Sequence, residues 1–209
     1  MDSFLAMLNS FLAMLTGAGQ YLPITVIAAI VLFFGKELLE LSRRRKANAR
    51  KRLAIRRLIA DEIERNNWTI KRLRNGISEL EHAIKEPRST LSIRIGVLGE
   101  RYLRREIADE LVSEFPVGKV HSEALSGSLL ELAMIDEQIF DQALEASDAT
   151  KELDHVLKSM IEFVSSETGS VHLEGFTDYA RKEIADCEKM LSDFYRNITG
   201  RNLEGHRVR

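Results

Sequence analysis

Nine Lys and Arg residues fall between Leu41 and Ala60 with no acid among them: Arg43, Arg44, Arg45, Lys46, Arg50, Lys51, Arg52, Arg56 and Arg57. The chemistry open to such a block is anion binding. Its nearest anions are lipid headgroups, because the 33 residues from Ser3 to Gly35, a few positions upstream, carry no charge at all. Arg43, Arg44, Arg45, Lys46, Arg50, Lys51 and Arg52 are therefore the candidate membrane-surface residues. Within the uncharged stretch Asn9, Thr16, Gln20 and Thr25 offer neutral oxygens and nitrogens of the kind that line an ion passage. Other chemistry is thinly represented. Gly118-Lys119 lacks the upstream glycine and the following hydroxyl residue that a phosphate-cradling loop needs. The five His are scattered without metal-ligand spacing, and the single Cys187 allows neither a zinc pair nor an intrachain disulfide. Ser126-Gly127-Ser128 falls inside a helical pattern rather than at a strand-to-helix elbow. No catalytic, cofactor-binding or metal-ligating residue is assigned, and the chain is not expected to be an enzyme.

One short motif stands apart. Arg201-Asn202-Leu203-Glu204-Gly205-His206 has an R-x4-H spacing with a polar residue after the Arg. It looks like the catalytic motif of the HEPN ribonucleases, which are also all-α, and that resemblance implies roles in RNA cleavage for Arg201 and His206. It covers six residues at the end of the chain and has a glycine where a helix is wanted. The reading preferred here is a polar tail.

The elements that must position these residues follow from charge and periodicity. Residues 1–57 carry ten Lys/Arg against three Asp/Glu, a net of +7, and residues 58–209 carry twenty against twenty-nine, a net of −9. An acidic domain behind the basic block favours a membrane surface over nucleic acid as its partner, and no nucleic acid is expected. The cations follow the apolar stretch, which places the N-terminus outside and the C-terminus in the cytoplasm, with the membrane crossed once. A cleaved signal would need its cations before the apolar core. The domains expected are 1–41 (amphipathic and transmembrane segment), 42–57 (basic juxtamembrane stretch) and 58–209 (cytoplasmic helical bundle).

The uncharged stretch is in two pieces. Thr16-Gly17-Ala18-Gly19-Gln20 supplies a break, and Pro23 sits where a new helix begins, so the span runs from about Gly17 or Tyr21 to Gly35 or a little beyond. The first piece repeats SFLAML at residues 3–8 and 10–15. On a helix this lines up Asp2, Ala6, Asn9, Ala13 and Thr16 opposite Phe4, Leu5, Leu8, Phe11, Leu12 and Leu15. Such a helix either lies on the outer leaflet or packs with its copies around a central passage.

Beyond the membrane the pattern predicts an all-α bundle of about five helices with a long first one. Ile59, Ile63, Asn66, Ile70, Leu73, Ile77, Leu80 and Ile84 form a heptad, on a helix continuous from the membrane to Glu86 before Pro87. Asn66 either fixes the register or oligomeric state of an apolar seam or is a polar residue satisfied inside the bundle, the second reading being preferred because other helices follow that need an apolar partner. Further helices are predicted over Arg101–Phe115, Ser122–Ala146, Thr150–Ser165 and Phe176–Ile198. Ser89–Leu98 alternates but has no strand to pair with, so it is taken as a linker or helix start.

This plan of outward N-terminus, single span, basic collar and helical bundle resembles the small membrane effectors of bacterial defence systems, such as the Hailong type. The resemblance implies a homo-oligomer that conducts ions in antiphage defence and is gated by its cytoplasmic domain, with membrane lipid and a cytoplasmic regulatory protein as partners. The alternative is a membrane-tethered scaffold or sensor whose bundle docks a protein.

Overall fold

The structure, a computed structural model, describes residues 23–108, 110–166 and 173–203. The amphipathic segment 2–16, with Asn9 and Thr16, and also Gln20 and His206, lie outside the described residues. In chain order the described elements are α1 (Ile24–Lys85), β1 (Ser89–Ile95), β2 (Arg101–Ile107), β3 (Glu110–Pro116), α2 (Glu123–Ile135), α3 (Glu137–Ser165) and α4 (Leu173–Thr199). The chain divides into two units, residues 1–51 and 52–209.

The described part of the first unit is the beginning of α1. Pro23 stands just before it, where a fixed φ and a missing N–H suit a helix start, and its carbonyl accepts the Val26 N–H at 2.9 Å. The continuous helix expected through the basic block is present, 62 residues long and ending just short of Pro87. Its uncharged beginning, Ile24 to Gly35, rises about 18 Å, against the roughly 30 Å of a hydrocarbon core. Lys36, Glu37 and Glu40 follow it. Among the described residues no helix is long and apolar enough to cross a membrane.

In the second unit the heptad of α1 forms one wall of the core. Ile59, Ile63, Asn66, Ile70, Leu73, Ile77 and Leu80 are all buried, while Ile84, at its end, is exposed. Leu153, Val156 and Met160 of α3 and Ala180, Ile184 and Leu191 of α4 fill the space beside them. Each fully buried Ile or Leu contributes about 1.5–3 kcal/mol, so this shared seam is the main source of stability. Ala143, Ala146, Ser147, Ala149 and Thr150 give α3 a buried face of small side chains. There Cys187 of α4 donates its Sγ hydrogen to the Ala149 carbonyl at 3.2 Å.

Two expectations are corrected. The bundle is not all-α: 89–116 is an antiparallel sheet in the order β1-β2-β3. The predicted helix Arg101–Phe115 is β2 and β3, joined by a tight turn in which Ala108 takes φ 50°. Ser89–Leu98, taken as a linker, therefore has a partner, with Ile93 opposite Leu103 and Leu103 opposite Phe115. The cause lies in the spacing. Leu103, Ile107, Leu111 and Phe115 recur every four residues, and four is one helical turn but also an even number of strand steps. A bulge between Arg105 and Glu106 shifts the register, with Val112 as the extra residue on β3. Leu103 is fully buried, and Arg105 Nε donates to Glu79 of α1 at 2.5 Å.

The second correction concerns the helices predicted over Ser122–Ala146 and Thr150–Ser165. The break falls at Asp136, and 146–150 lies inside α3. Asp136 adopts φ −154° and ψ 68°, and its buried carboxylate turns to α1: Arg56 donates to Oδ2 at 2.7 Å, and Arg52 Nε stands 3.3 Å from it. Arg52 also donates to the Ile135 carbonyl, at the end of α2, at 2.5 Å. Four helices, not five, are present among the described residues.

The segment leading into α2 is tied to α1 by polar groups. Asn66 donates to the His121 carbonyl at 2.7 Å and accepts the His121 N–H at 2.8 Å. Thr69 donates to the Lys119 carbonyl at 2.6 Å. Glu62 accepts the N–H groups of Ala124 and Leu125 at 2.7 and 2.9 Å, so a side chain from α1 caps α2. A Cβ on Gly118 would stand 2.9 Å from Thr69 Cγ2 and 3.1 Å from its Cα, so only glycine allows this approach.

Candidate functional site

The start of α1 carries the residues singled out for membrane contact. Thr25, Ala28 and Ala29 are exposed there. Val31, Leu32, Phe33 and Phe34 follow, exposed by 53, 73, 63 and 43%. Four consecutive helical positions sweep about 300° around the axis. This apolar band therefore encircles the helix instead of forming one face. Leu38, Leu39 and Leu41 continue it in exposed positions. Where a Cβ on Gly35 would point there is open space. The Phe33 and Phe34 rings pack edge to face, their centroids 5.9 Å apart.

The cations are arranged in the same way. Arg43, Arg44, Arg45 and Lys46 are again four consecutive positions, all exposed, and Arg50 and Lys51 are exposed beyond them. Arg44 bonds to Glu40 at 2.6 Å, one turn earlier. An apolar girdle followed by a cationic girdle has the symmetry of a lipid layer and its headgroups, which surround a helix on all sides. Folding against a single protein surface would leave one side of each band unexplained.

Arg52 stands differently from the rest of the basic set. Its guanidinium is spent on Ile135 and Asp136, and Arg56 is spent on Asp136. Sequence reasoning grouped Arg52 with the membrane cations because no local pattern reveals a partner some eighty residues away. Thr25 lies on α1, whereas its proposed companions Asn9, Thr16 and Gln20 fall outside the described residues. Arg201 follows the end of α4, where Gly200 takes φ 71° and returns its N–H to the Arg196 carbonyl at 2.8 Å. Arg201 is exposed, and its N–H is held by Thr199 Oγ1 at 3.1 Å.

A second feature of the domain escaped the sequence reading. Arg65, Trp68, Thr69, Arg72, Lys119 and His121 line a cavity of about 480 Å³. Arg65, Trp68 and Arg72 follow i, i+3, i+7 spacing on α1, a stripe beside the heptad that an apolar count passes over. Among the described residues no group of three or more His, Cys, Asp or Glu is placed to hold a metal ion.

Comparison with protein-family models, with curated proteins and with solved structures finds no match to this chain.

Proposed function

We propose that this chain is a bilayer-anchored effector that assembles with its own copies and conducts ions, its helical domain acting on the membrane segment through α1. The observation that carries the anchoring is the pair of encircling bands, apolar over Val31–Phe34 and cationic over Arg43–Lys46. Leaving four large apolar side chains in water forgoes about 25 cal/mol for each Å² they could bury, and lipid is the environment that covers every side of a helix. Assembly is supported by the exposed small residues Thr25, Ala28 and Ala29, which let neighbouring helices approach closely. The passage itself rests on the sequence, through Asn9, Thr16, Gln20 and Thr25. The antiphage setting and a cytoplasmic regulatory protein rest on the resemblance of the overall plan.

A second reading is favoured by the Arg52–Arg56–Asp136 clamp, which uses two of the cations to fix the domain internally. On this reading the protein is a membrane-tethered scaffold or sensor, and the start of α1 is an anchor only. The test is conductance of the full-length protein in planar bilayers together with its mass in nanodiscs. A defined oligomer with discrete current steps, which Asn9→Leu with Thr16→Leu abolishes, is the result expected of a pore. A monomer that inserts without current, both alone and with a cytoplasmic extract added, overturns the pore and leaves the tether.

A further inference from the structure

The cavity on the helical domain carries an inference that is independent of the membrane reading. Its wall on α1 is Arg65, Trp68, Thr69 and Arg72, and its facing wall is Lys119 and His121 on the segment leading into α2. Two Arg, one Lys and one His converge here without a carboxylate in the lining, in a region (residues 58–209) whose net charge is −9. Such a concentration of donors against the sign of its surroundings selects an anion.

The facing wall is built rather than loose. Asn66 holds both backbone groups of His121, Thr69 holds the Lys119 carbonyl, and Gly118 packs on Thr69 with no room for a side chain. The cationic groups remain available. Arg65 pairs with Asp61 and Lys119 reaches Glu123 at 3.9 Å, but these carboxylates are exposed, and pairs of that kind are worth about 0–1 kcal/mol. Arg72 forms no ion pair among the described residues. Trp68 adds an aromatic surface, over which Lys71 Nζ stands 5.6 Å from the ring centroid.

We propose that this cavity binds a nucleotide, its phosphates held by Arg65, Arg72 and Lys119 and its base against Trp68. Guanidinium groups match phosphate oxygens in bidentate fashion, and base–indole stacking contributes about 1–3 kcal/mol. The cavity lies within the range of about 300–1,000 Å³ usual for small-molecule sites. A nucleic acid tracking across the surface would leave the cavity and meet the negative domain around it, which favours a free nucleotide over a polymer.

Trp68 is the only tryptophan of the chain, so its emission reports on this cavity alone. Full-length protein in vesicles of neutral lipid is titrated with ATP, AMP and inorganic pyrophosphate, with calorimetry run in parallel. The expected result is a saturable change in emission with ATP, at least tenfold weakened by Arg72→Ala and weakened again by added salt. Pyrophosphate is expected to bind more weakly than ATP, and Trp68→Ala should remove that difference in calorimetry. Absence of saturable heat and emission change with all three probes overturns the proposal. Equal binding of pyrophosphate and ATP, indifferent to Trp68→Ala, overturns the nucleotide assignment. Arg72 is exposed, so its replacement leaves the fold intact, and an unchanged far-ultraviolet spectrum confirms it. Because the readout is binding and not current, its failure is separate from failure of the pore.

Discussion

At the scale of single residues, Glu62, Asn66, Thr69 and Thr150 are polar side chains in the core that each hold a defined backbone partner. Asn66 sits in the heptad of α1, 1% exposed, and both ends of its amide are used on His121. Asn66→Leu makes the heptad wholly apolar, yet it strands a buried N–H and a buried carbonyl, which costs more than the added methyl groups return. We expect the variant to lose about 1–3 kcal/mol, measured as a lower urea midpoint at unchanged slope. Cys187 gives a pH signature. Burial first, and then the nearby Glu152, push its thiol up from 9.0 to about 11. Burial first, and then its hydrogen bond to Glu64, push the Tyr195 hydroxyl from 10.0 to about 12. Both groups are held neutral by the fold, with folded values above the unfolded ones. Their contribution is therefore complete below about pH 9 and is lost as pH rises through about 11 to 12. The urea midpoint should fall across that interval, and Cys187→Ala should flatten its first part. A thiol reagent at neutral pH should label Cys187 only on unfolding.

At the scale of elements, what could be read from the sequence depended on whether a spacing had one structural meaning or two. The heptad from Ile59 to Leu80 alternates threes and fours, which no strand accommodates, and α1 and α4 emerged accordingly. Leu103, Ile107, Leu111 and Phe115 repeat by four, which helix and strand share, so β2 and β3 were hidden, and β1 with them. The break at Asp136 was hidden for another reason. It depends on Arg52 and Arg56, distant in sequence, taking the Asp136 carboxylate from the role of local cap. The apolar and basic bands of α1 were legible because each is a contiguous run. The cavity around Trp68 was not, since Lys119 and His121 join it only through the fold. The β2–β3 turn is a place to test the corrected topology. Ala108 holds φ 50°, where a Cβ costs about 1 kcal/mol. Ala108→Gly should therefore raise stability by about 0.5–1 kcal/mol in thermal or urea unfolding. In a helix over these residues the same change would lower it by a similar amount.

At the scale of the whole molecule, one continuous helix carries both kinds of surface: the encircling apolar and cationic bands near its start and the buried heptad nearer its end. The charge division, +7 over residues 1–57 and −9 over 58–209, separates a part suited to anionic headgroups from a part that they repel. Insertion is the claim on which the effector and tether readings both depend. Adsorption through Arg43–Lys51 alone is the competing account, and salt separates the two, because at about 1 M the Debye length shrinks to about 3 Å. The measurement is membrane flotation of the full-length protein before and after a high-salt, alkaline wash. The account predicts that the protein stays with the vesicles through both. Release into the wash would show a surface-adsorbed protein and contradict it.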